Sequence, residues 1–179
     1  MSKAQDSIQI AILAVVSIVT VWMFYEVPSW QRQAAPFLFG TVGAGFTVVC
    51  LWLTRRLGSR AMKFERGLLT AFLVGMPLIY MAGWFVGRSH GGNSWIWTEL
   101  AGFALFAGFG ALGVKKSAWF LATGIAAHGL VWDIWHYRNS AYIPDWYAVA
   151  CMLVDIALGV YVAARIPTYK EAERSAEGN

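Results

Sequence analysis

The sequence has little charge, few cysteines and no spacing motif for metal or thiol chemistry. Only 13% of its 179 residues are charged and 58% are hydrophobic, whereas soluble chains carry about 25% charged residues. This shortage excludes an ordinary soluble domain and indicates lipid as the solvent. The two cysteines, Cys50 and Cys151, lie in apolar runs and form no Cys-x-x-Cys pair. We therefore expect two buried small hydrophobic residues and no thiol-based zinc or redox site.

The sequence also lacks an internal repeat and the charge pattern of a nucleic-acid-binding protein. The lack of a recognisable repeat weakens the hypothesis of an inverted-repeat transporter. The formal net charge of +4 is no nucleic-acid signal, because the basic residues stand in short runs between apolar segments. We expect no nucleic-acid partner, and the sequence leaves the oligomeric state open.

Six apolar runs are each close to the length of about 20 residues that crosses a bilayer as a helix. The sequence therefore predicts an all-α integral membrane protein, a bundle of six transmembrane helices over residues 1–165. The first run is too long for a signal-peptide core and is predicted to be a retained span. Residues 166–179 form a polar cytoplasmic tail with an expected frayed end. The predicted spans cover residues 8–25, 36–53, 67–86, 95–114, 117–134 and 146–164.

The distribution of basic residues predicts the orientation. Eleven of the 14 Lys and Arg residues lie in the head, in the loops after the second and fourth spans, and in the tail. Because basic residues are retained on the cytoplasmic side, both termini are predicted to be cytoplasmic. The expected location is a cell membrane, the bacterial inner membrane, crossed several times.

Two histidines, an aspartate and two tryptophans lie at the end of an otherwise apolar segment, in the stretch His128-Gly-Leu-Val-Trp-Asp-Ile-Trp-His-Tyr137. At about 100° per residue, His128, Asp133 and His136 share one broad helix face. Ionisable side chains inside membrane helices are rare, and they usually face a protein interior or a wet cavity. Together with Glu99 and Asp155, these residues are predicted to surround a cavity that opens to the outer side.

His128 and Asp155 have similar depths in spans that a short loop makes antiparallel neighbours, so we predict that they meet. Two interpretations remain open. They are an acid and a base, or two metal ligands, that act on a substrate. Alternatively, they are a hydrogen-bonded pair that only holds two helices together.

A divalent metal is a second open hypothesis. Imidazole and carboxylate groups suit Zn, Fe or Mn, and the candidate ligands are His128, Asp133 and His136. A site nearer the surface would use Glu99 with Asp133 and His136, completed by His90 or Asp145. No His-x3-His or His-x2-His-His box is present, and solvated interfacial side chains are the alternative.

Aromatic residues are abundant near the predicted outer interface, and most belong to the aromatic belt of a membrane protein. A subset next to the acids is predicted to form a substrate pocket: Trp97, Trp132, Trp135 and Tyr147. Glu65 stands at a span end, where we expect solvent or an ion pair with Arg66.

No family is recognised in the sequence. The acids of Trp97-Thr98-Glu99 and Asp155 are loosely similar to those of membrane-bound terpene cyclases, a resemblance that implies protonation of a substrate by a carboxyl group. The histidines resemble those of membrane hydroxylases and ceramidase-like hydrolases in residue type alone, because the histidine boxes that define these enzymes are absent.

These observations predict a membrane-embedded enzyme that acts on a lipid or isoprenoid-like substrate by acid–base or metal-assisted chemistry. Its partners would be the bilayer and an apolar small-molecule or lipid substrate. A small proton- or cation-coupled transporter and a non-catalytic accessory subunit are the alternatives. The candidate catalytic residues are Glu99, His128, Asp133, His136 and Asp155.

Overall fold

A computed structural model describes residues 45, 52, 61–86, 94–140 and 142–177 of the chain. The chain divides into two units, Met1–Ala35 and Pro36–Asn179, and every described residue belongs to the second. The predicted spans at 8–25 and 36–53 lie outside the described residues, apart from positions 45 and 52.

The described residues form helices joined by short turns, with no strand among them, which confirms the all-helical prediction for this part. Three of the helices, α1, α2 and α5, are long and apolar enough to cross a membrane. The predicted span at 117–134 corresponds to α3 and π1 and includes the first residue of α4. In chain order the elements are α1 (Ala61–Val86), α2 (Ser94–Lys115), α3 (Ala118–Ala127), the π-helical segment π1 (His128–Asp133), α4 (Ile134–Asn139) and α5 (Asp145–Glu177).

The end of α5 differs from the prediction. The polar segment after residue 165 was expected to fray, but α5 continues past Pro167 to Glu177. Ile166 and Tyr169 are buried against the bundle, and Glu173 forms an ion pair with Arg66 of α1. Packing against other helices keeps this segment helical, so its polar composition alone did not predict its structure.

The apolar core lies where α3 packs between α2 and α5, with α1 against α2. Small residues allow the helices of this core to approach closely. A Cβ on Gly124 would lie 2.7 Å from Cβ of Phe109, and one on Gly113 would lie 2.9 Å from Cβ of Leu121. The core includes Leu69, Leu73, Phe106, Leu121, Ile125, Leu158 and Val162.

A buried cluster joins α1 to α5 at the end of the bundle near Lys115. Glu65, expected at the surface, is fully buried. Its Oε1 accepts hydrogen bonds from the hydroxyls of Tyr161, at 2.5 Å, and Tyr169, at 2.9 Å. Arg165 donates from Nη2 to Oε2 at 3.1 Å and from Nε to Oε1 at 3.2 Å. We call these four residues the Glu65 cluster, in which both carboxylate oxygens are bonded.

Neither expectation for Glu65, solvent or an ion pair with Arg66, describes the structure, in which Glu65 is buried and paired with Arg165. The Arg66 guanidinium contacts Glu173 at 2.5 Å and donates to the carbonyl oxygens of Gly113, at 2.5 Å, and Val114, at 3.3 Å. A cation that binds the last carbonyls of a helix stabilises its negative end. Arg66 therefore caps α2, while Arg165 from the distant helix α5 neutralises Glu65.

Candidate functional site

The site is built on π1, which lies between α3 and α4. In an α-helix, residues five apart lie about 140° from each other around the axis. A π-helix pairs residue i with residue i+5, which brings such residues onto one side. His128 and Asp133 are the first and last residues of π1, and His128 Nδ1 lies 3.4 Å from Asp133 Oδ1. The π geometry thus turns both side chains to the interior, where both are fully buried.

Helix α5 supplies Asp155 to the same place. His128 Nδ1 lies 2.7 Å from Asp155 Oδ2, which confirms the predicted approach of these two residues. Gly129 makes the approach possible, because a Cβ there would lie 2.8 Å from Cβ of Asp155 and 3.1 Å from the carbonyl oxygen of Met152. A glycine is required where two helix backbones come this close.

Tyr80 of α1 completes this part of the site, and the sequence did not identify it. Its hydroxyl donates to Asp133 Oδ1 at 2.6 Å. Its ring stacks on the His136 imidazole, with centroids 4.1 Å apart and planes 4° from parallel. One feature of the sequence could have identified Tyr80: its hydroxyl lies deep in an apolar run, and a buried hydroxyl needs a hydrogen-bond partner. We call Tyr80, His128, Asp133 and Asp155 the His128 group.

A second set of polar residues adjoins the first through the Tyr80 ring. His136 Nε2 lies 3.2 Å from Glu99 Oε1, but its ring N–H is not aimed well enough to form a hydrogen bond. The Tyr142 hydroxyl donates to the same carboxylate oxygen. Burial, followed by this bond to Glu99, raises the pKa of Tyr142 well above its usual range. We call Glu99, His136 and Tyr142 the Glu99 group.

All five predicted catalytic side chains therefore come together, and each is fully buried. They are packed inside the described part of the chain rather than exposed along an outward-facing cleft. Several of their polar atoms have no hydrogen-bond partner among the described residues. These atoms are Glu99 Oε2, His128 Nε2, Asp133 Oδ2, Asp155 Oδ1 and both ring nitrogens of His136.

The predicted pocket aromatics are only partly at the site. Tyr147 is buried with its ring edge-on to Tyr80 at 6.0 Å, and Trp132 packs edge-on to His136 at 5.5 Å. The Trp135 ring is also edge-on to His136, at 5.0 Å. Trp97, in contrast, is 72% exposed.

Trp97 points away because it stands two residues before the buried Glu99, about 200° around the helix. The aromatic group that contacts Glu99 is Tyr142 instead. Trp132 fits beside α2 because residue 102 has no side chain, and a Cβ there would lie 2.3 Å from its ring. Asp145 is exposed in the first turn of α5, while His90 lies outside the described residues.

A metal ion would find three ligand atoms close together within the described residues. His128, Asp133 and Asp155 each offer one such atom, all within 4.8 Å of one another. This grouping shares His128 and Asp133 with the predicted ligand set but contains Asp155 in place of His136, whose Nε2 faces Glu99. One imidazole and two carboxylates suit a divalent ion such as Zn²⁺, Mn²⁺ or Fe²⁺.

The arrangement allows acid–base as well as metal chemistry. A buried imidazole oriented by a carboxylate can exchange protons through its other nitrogen, and Asp155 holds His128 in this way. No protein-family model, curated protein sequence or solved structure matches this chain, so the residues themselves carry the functional argument.

Proposed function

We propose that the chain is a bacterial inner-membrane protein with six spans and both termini in the cytoplasm. We further propose that it is an enzyme that acts on a lipid or isoprenoid-like substrate through Glu99, His128, Asp133, His136 and Asp155. The chemistry is acid–base or metal-assisted.

The observation that supports the proposal most directly is the contrast between two buried polar clusters of one chain. In the Glu65 cluster, both carboxylate oxygens accept hydrogen bonds. In the His128 and Glu99 groups, atoms of five ionisable side chains have no such partner among the described residues. Leaving a buried polar group unsatisfied costs about 1–3 kcal/mol. A cluster selected only to hold helices together would be bonded as the Glu65 cluster is.

Acid–base chemistry would use the residues in distinct roles. With its proton on Nδ1, His128 would donate a hydrogen bond to Asp155 Oδ2, 2.7 Å away, and Nε2 would be left to take or give a proton. Tyr80 holds Asp133 through a 2.6 Å hydrogen bond, and Tyr142 holds Glu99. In this scheme the carboxylates of Asp133 and Glu99 and the two imidazoles act on the substrate. Asp155 orients His128, and the tyrosines orient the other two carboxylates.

The exposed surface of π1, the segment that carries His128 and Asp133, supports a substrate that comes from the bilayer. Leu130 and Val131 of π1 are 52% and 65% exposed, and they lie between the buried residues His128 and Asp133. Such an apolar surface is suited to contact with lipid chains. An apolar substrate would thus come next to the catalytic residues without crossing water.

The proposal is tested with purified protein in vesicles made from a bacterial polar lipid extract. Lipid species are compared by mass spectrometry before and after incubation with wild type, Asp155→Asn and the matched buried variant Glu65→Gln. We expect one lipid species to be converted by wild type, and by Glu65→Gln in proportion to its folded fraction, but not by folded Asp155→Asn. Equal conversion by Asp155→Asn, or no change with folded wild type, would contradict the enzyme proposal.

A further inference from the structure

We infer that His128, Asp133 and Asp155 bind one divalent cation of the Zn²⁺, Mn²⁺ or Fe²⁺ class, with His128 coordinating through Nδ1. The role of this ion in chemistry rests on the proposed function, whereas its binding can be measured independently. The ligand set differs from the one that the sequence predicts, because Asp155 replaces His136.

The separations of the ligand atoms are close to those of a metal site. Metal–ligand bonds of about 2.0–2.2 Å place neighbouring ligand atoms about 3.0 Å apart in octahedral geometry and about 3.4 Å apart in tetrahedral geometry. His128 Nδ1 lies 3.4 Å from Asp133 Oδ1 and 2.7 Å from Asp155 Oδ2. The second separation must open by only a few tenths of an ångström, which small side-chain rotations provide.

Charge supports a divalent ion. All three side chains are fully buried, and unpaired charge is costly inside a membrane protein. If both carboxyl groups are ionised, even a protonated His128 leaves one excess negative charge. The described cationic residue nearest in sequence to Asp155 is Arg165, which is paired with Glu65. A neutral imidazole, two carboxylates and a divalent cation sum to zero.

The unbonded carboxylate oxygens give a second, independent indication. Asp133 Oδ2 and Asp155 Oδ1 are buried and have no hydrogen-bond donor among the described residues. A carboxylate can offer either oxygen or both to a metal, so these atoms are available as ligands. Tyr80 donates to Asp133 Oδ1 at 2.6 Å, and such outer hydrogen bonds orient the ligands of metal sites.

Three protein ligands leave coordination positions open, which is the pattern of catalytic rather than structural metal sites. The His128 ring would then carry its proton on Nε2. The Glu99 group, which contacts this site through the Tyr80 ring, would remain a separate set of titratable groups. With a metal bound, His128, Asp133 and Asp155 would hold the ion, and acid–base chemistry would be left to the Glu99 group.

The test uses the full chain in detergent, stripped of metal with a chelator and reloaded with Zn²⁺ or Mn²⁺ alone. Bound metal is measured by mass spectrometry after desalting. We expect close to one ion per wild-type chain and at least about a 100-fold weaker affinity in Asp155→Asn and Asp133→Asn. Tyr80→Phe, which removes only an outer hydrogen bond, should weaken binding by about 10-fold.

Two control variants define the site. Glu65→Gln changes a buried carboxylate of the other cluster, and Glu99→Gln changes one of the neighbouring group. Both should retain one ion per folded chain. Stoichiometric binding that persists in both Asp133→Asn and Asp155→Asn, or that is lost in Glu99→Gln, would overturn the assignment.

If Asp155→Asn does not fold, the metal site is tested by measurements on the wild type alone. Metal-depleted wild type must gain thermal stability as Zn²⁺ or Mn²⁺ is added, with the concentration dependence of a single bound ion. The absence of both metal binding and a shift in Tm would overturn the metal site. Lipid conversion by metal-free wild type would then leave the proposed enzyme standing, whereas a bound ion without lipid conversion would refute only the enzyme.

Discussion

Replacing Glu65 by glutamine removes the charge of the Glu65 cluster while keeping its shape. The new carbonyl oxygen can still accept from Tyr161 and Tyr169, whose hydroxyls lie 2.5 and 2.9 Å from Oε1. The new amide group would face Arg165, which now donates to both oxygens. The amide group and Arg165 Nη2 would then be two donors that point at each other, so Arg165 keeps only the 3.2 Å bond from Nε and loses the ion pair.

The expected loss follows from the bonds that disappear. Hydrogen bonds to charged groups contribute about 1.5–3 kcal/mol each, and breaking a buried ion pair costs about 3–5 kcal/mol. The Arg165 side chain is 19% exposed, so water recovers part of the loss. We therefore expect Glu65→Gln to lower the free energy of unfolding by about 3 kcal/mol.

A matched control is the surface pair of Arg66 with Glu173, in which the glutamate side chain is 55% exposed. Exposed pairs contribute at most about 1 kcal/mol, so Glu173→Gln should lower the stability by no more than this. Both variants are measured by equilibrium unfolding in mixed detergent micelles, followed by helical circular dichroism. Equal losses in the two variants would refute the assignment of Glu65 as a buried structural anchor.

Two further predictions concern orientation and packing. Single cysteines at Ser140 and Lys115 should react differently with an impermeant thiol reagent added outside intact cells: Ser140→Cys is labelled and Lys115→Cys is not. The reverse pattern would invert the proposed topology. Gly129→Val places new atoms where a Cβ alone lies 2.8 Å from Asp155. Overpacking costs about 1–3 kcal/mol, and thermal unfolding in detergent should detect it; wild-type stability would contradict the close approach of π1 to α5.

The sequence could predict the apolar helices of the described part of the chain and the acids and histidines that come together there, because both depend on strong local signals. Apolar runs of membrane length specify helices, and ionisable residues within them are few enough to be found directly. The contact between His128 and Asp155 also followed, since a short loop makes their helices neighbours. These inferences needed only the depth of each residue in its span and the order of the helices along the chain.

Partners contributed by distant helices could not be predicted in the same way. Tyr80 reaches Asp133, and Arg165 reaches Glu65, across helix contacts that one sequence does not specify. The π geometry of π1 was also hidden, because α-helical periodicity places residues 128 and 133 about 140° apart, at the edges of the predicted broad face, and does not bring the two side chains into contact. Local patterns thus identified the ionisable residues but not all of their partners.

The distance between the two polar clusters bears on whether the chain transports ions. From Glu65 to Tyr80, α1 rises about 22 Å at 1.5 Å per residue. Between the clusters, the bundle is filled by buried apolar side chains, among them Leu73, Leu121 and Leu158.

A path for a proton or cation needs polar groups or water along its length, and the fully buried side chains that the structure describes in this layer are apolar. The described residues therefore separate an anchored end, fixed by the Glu65 cluster, from an end formed by the His128 and Glu99 groups. Among the described residues, the buried ionisable atoms without a hydrogen-bond partner lie only at the second end. This arrangement is suited to chemistry on a substrate that enters and leaves on the same side. This asymmetry favours the enzyme over the transporter.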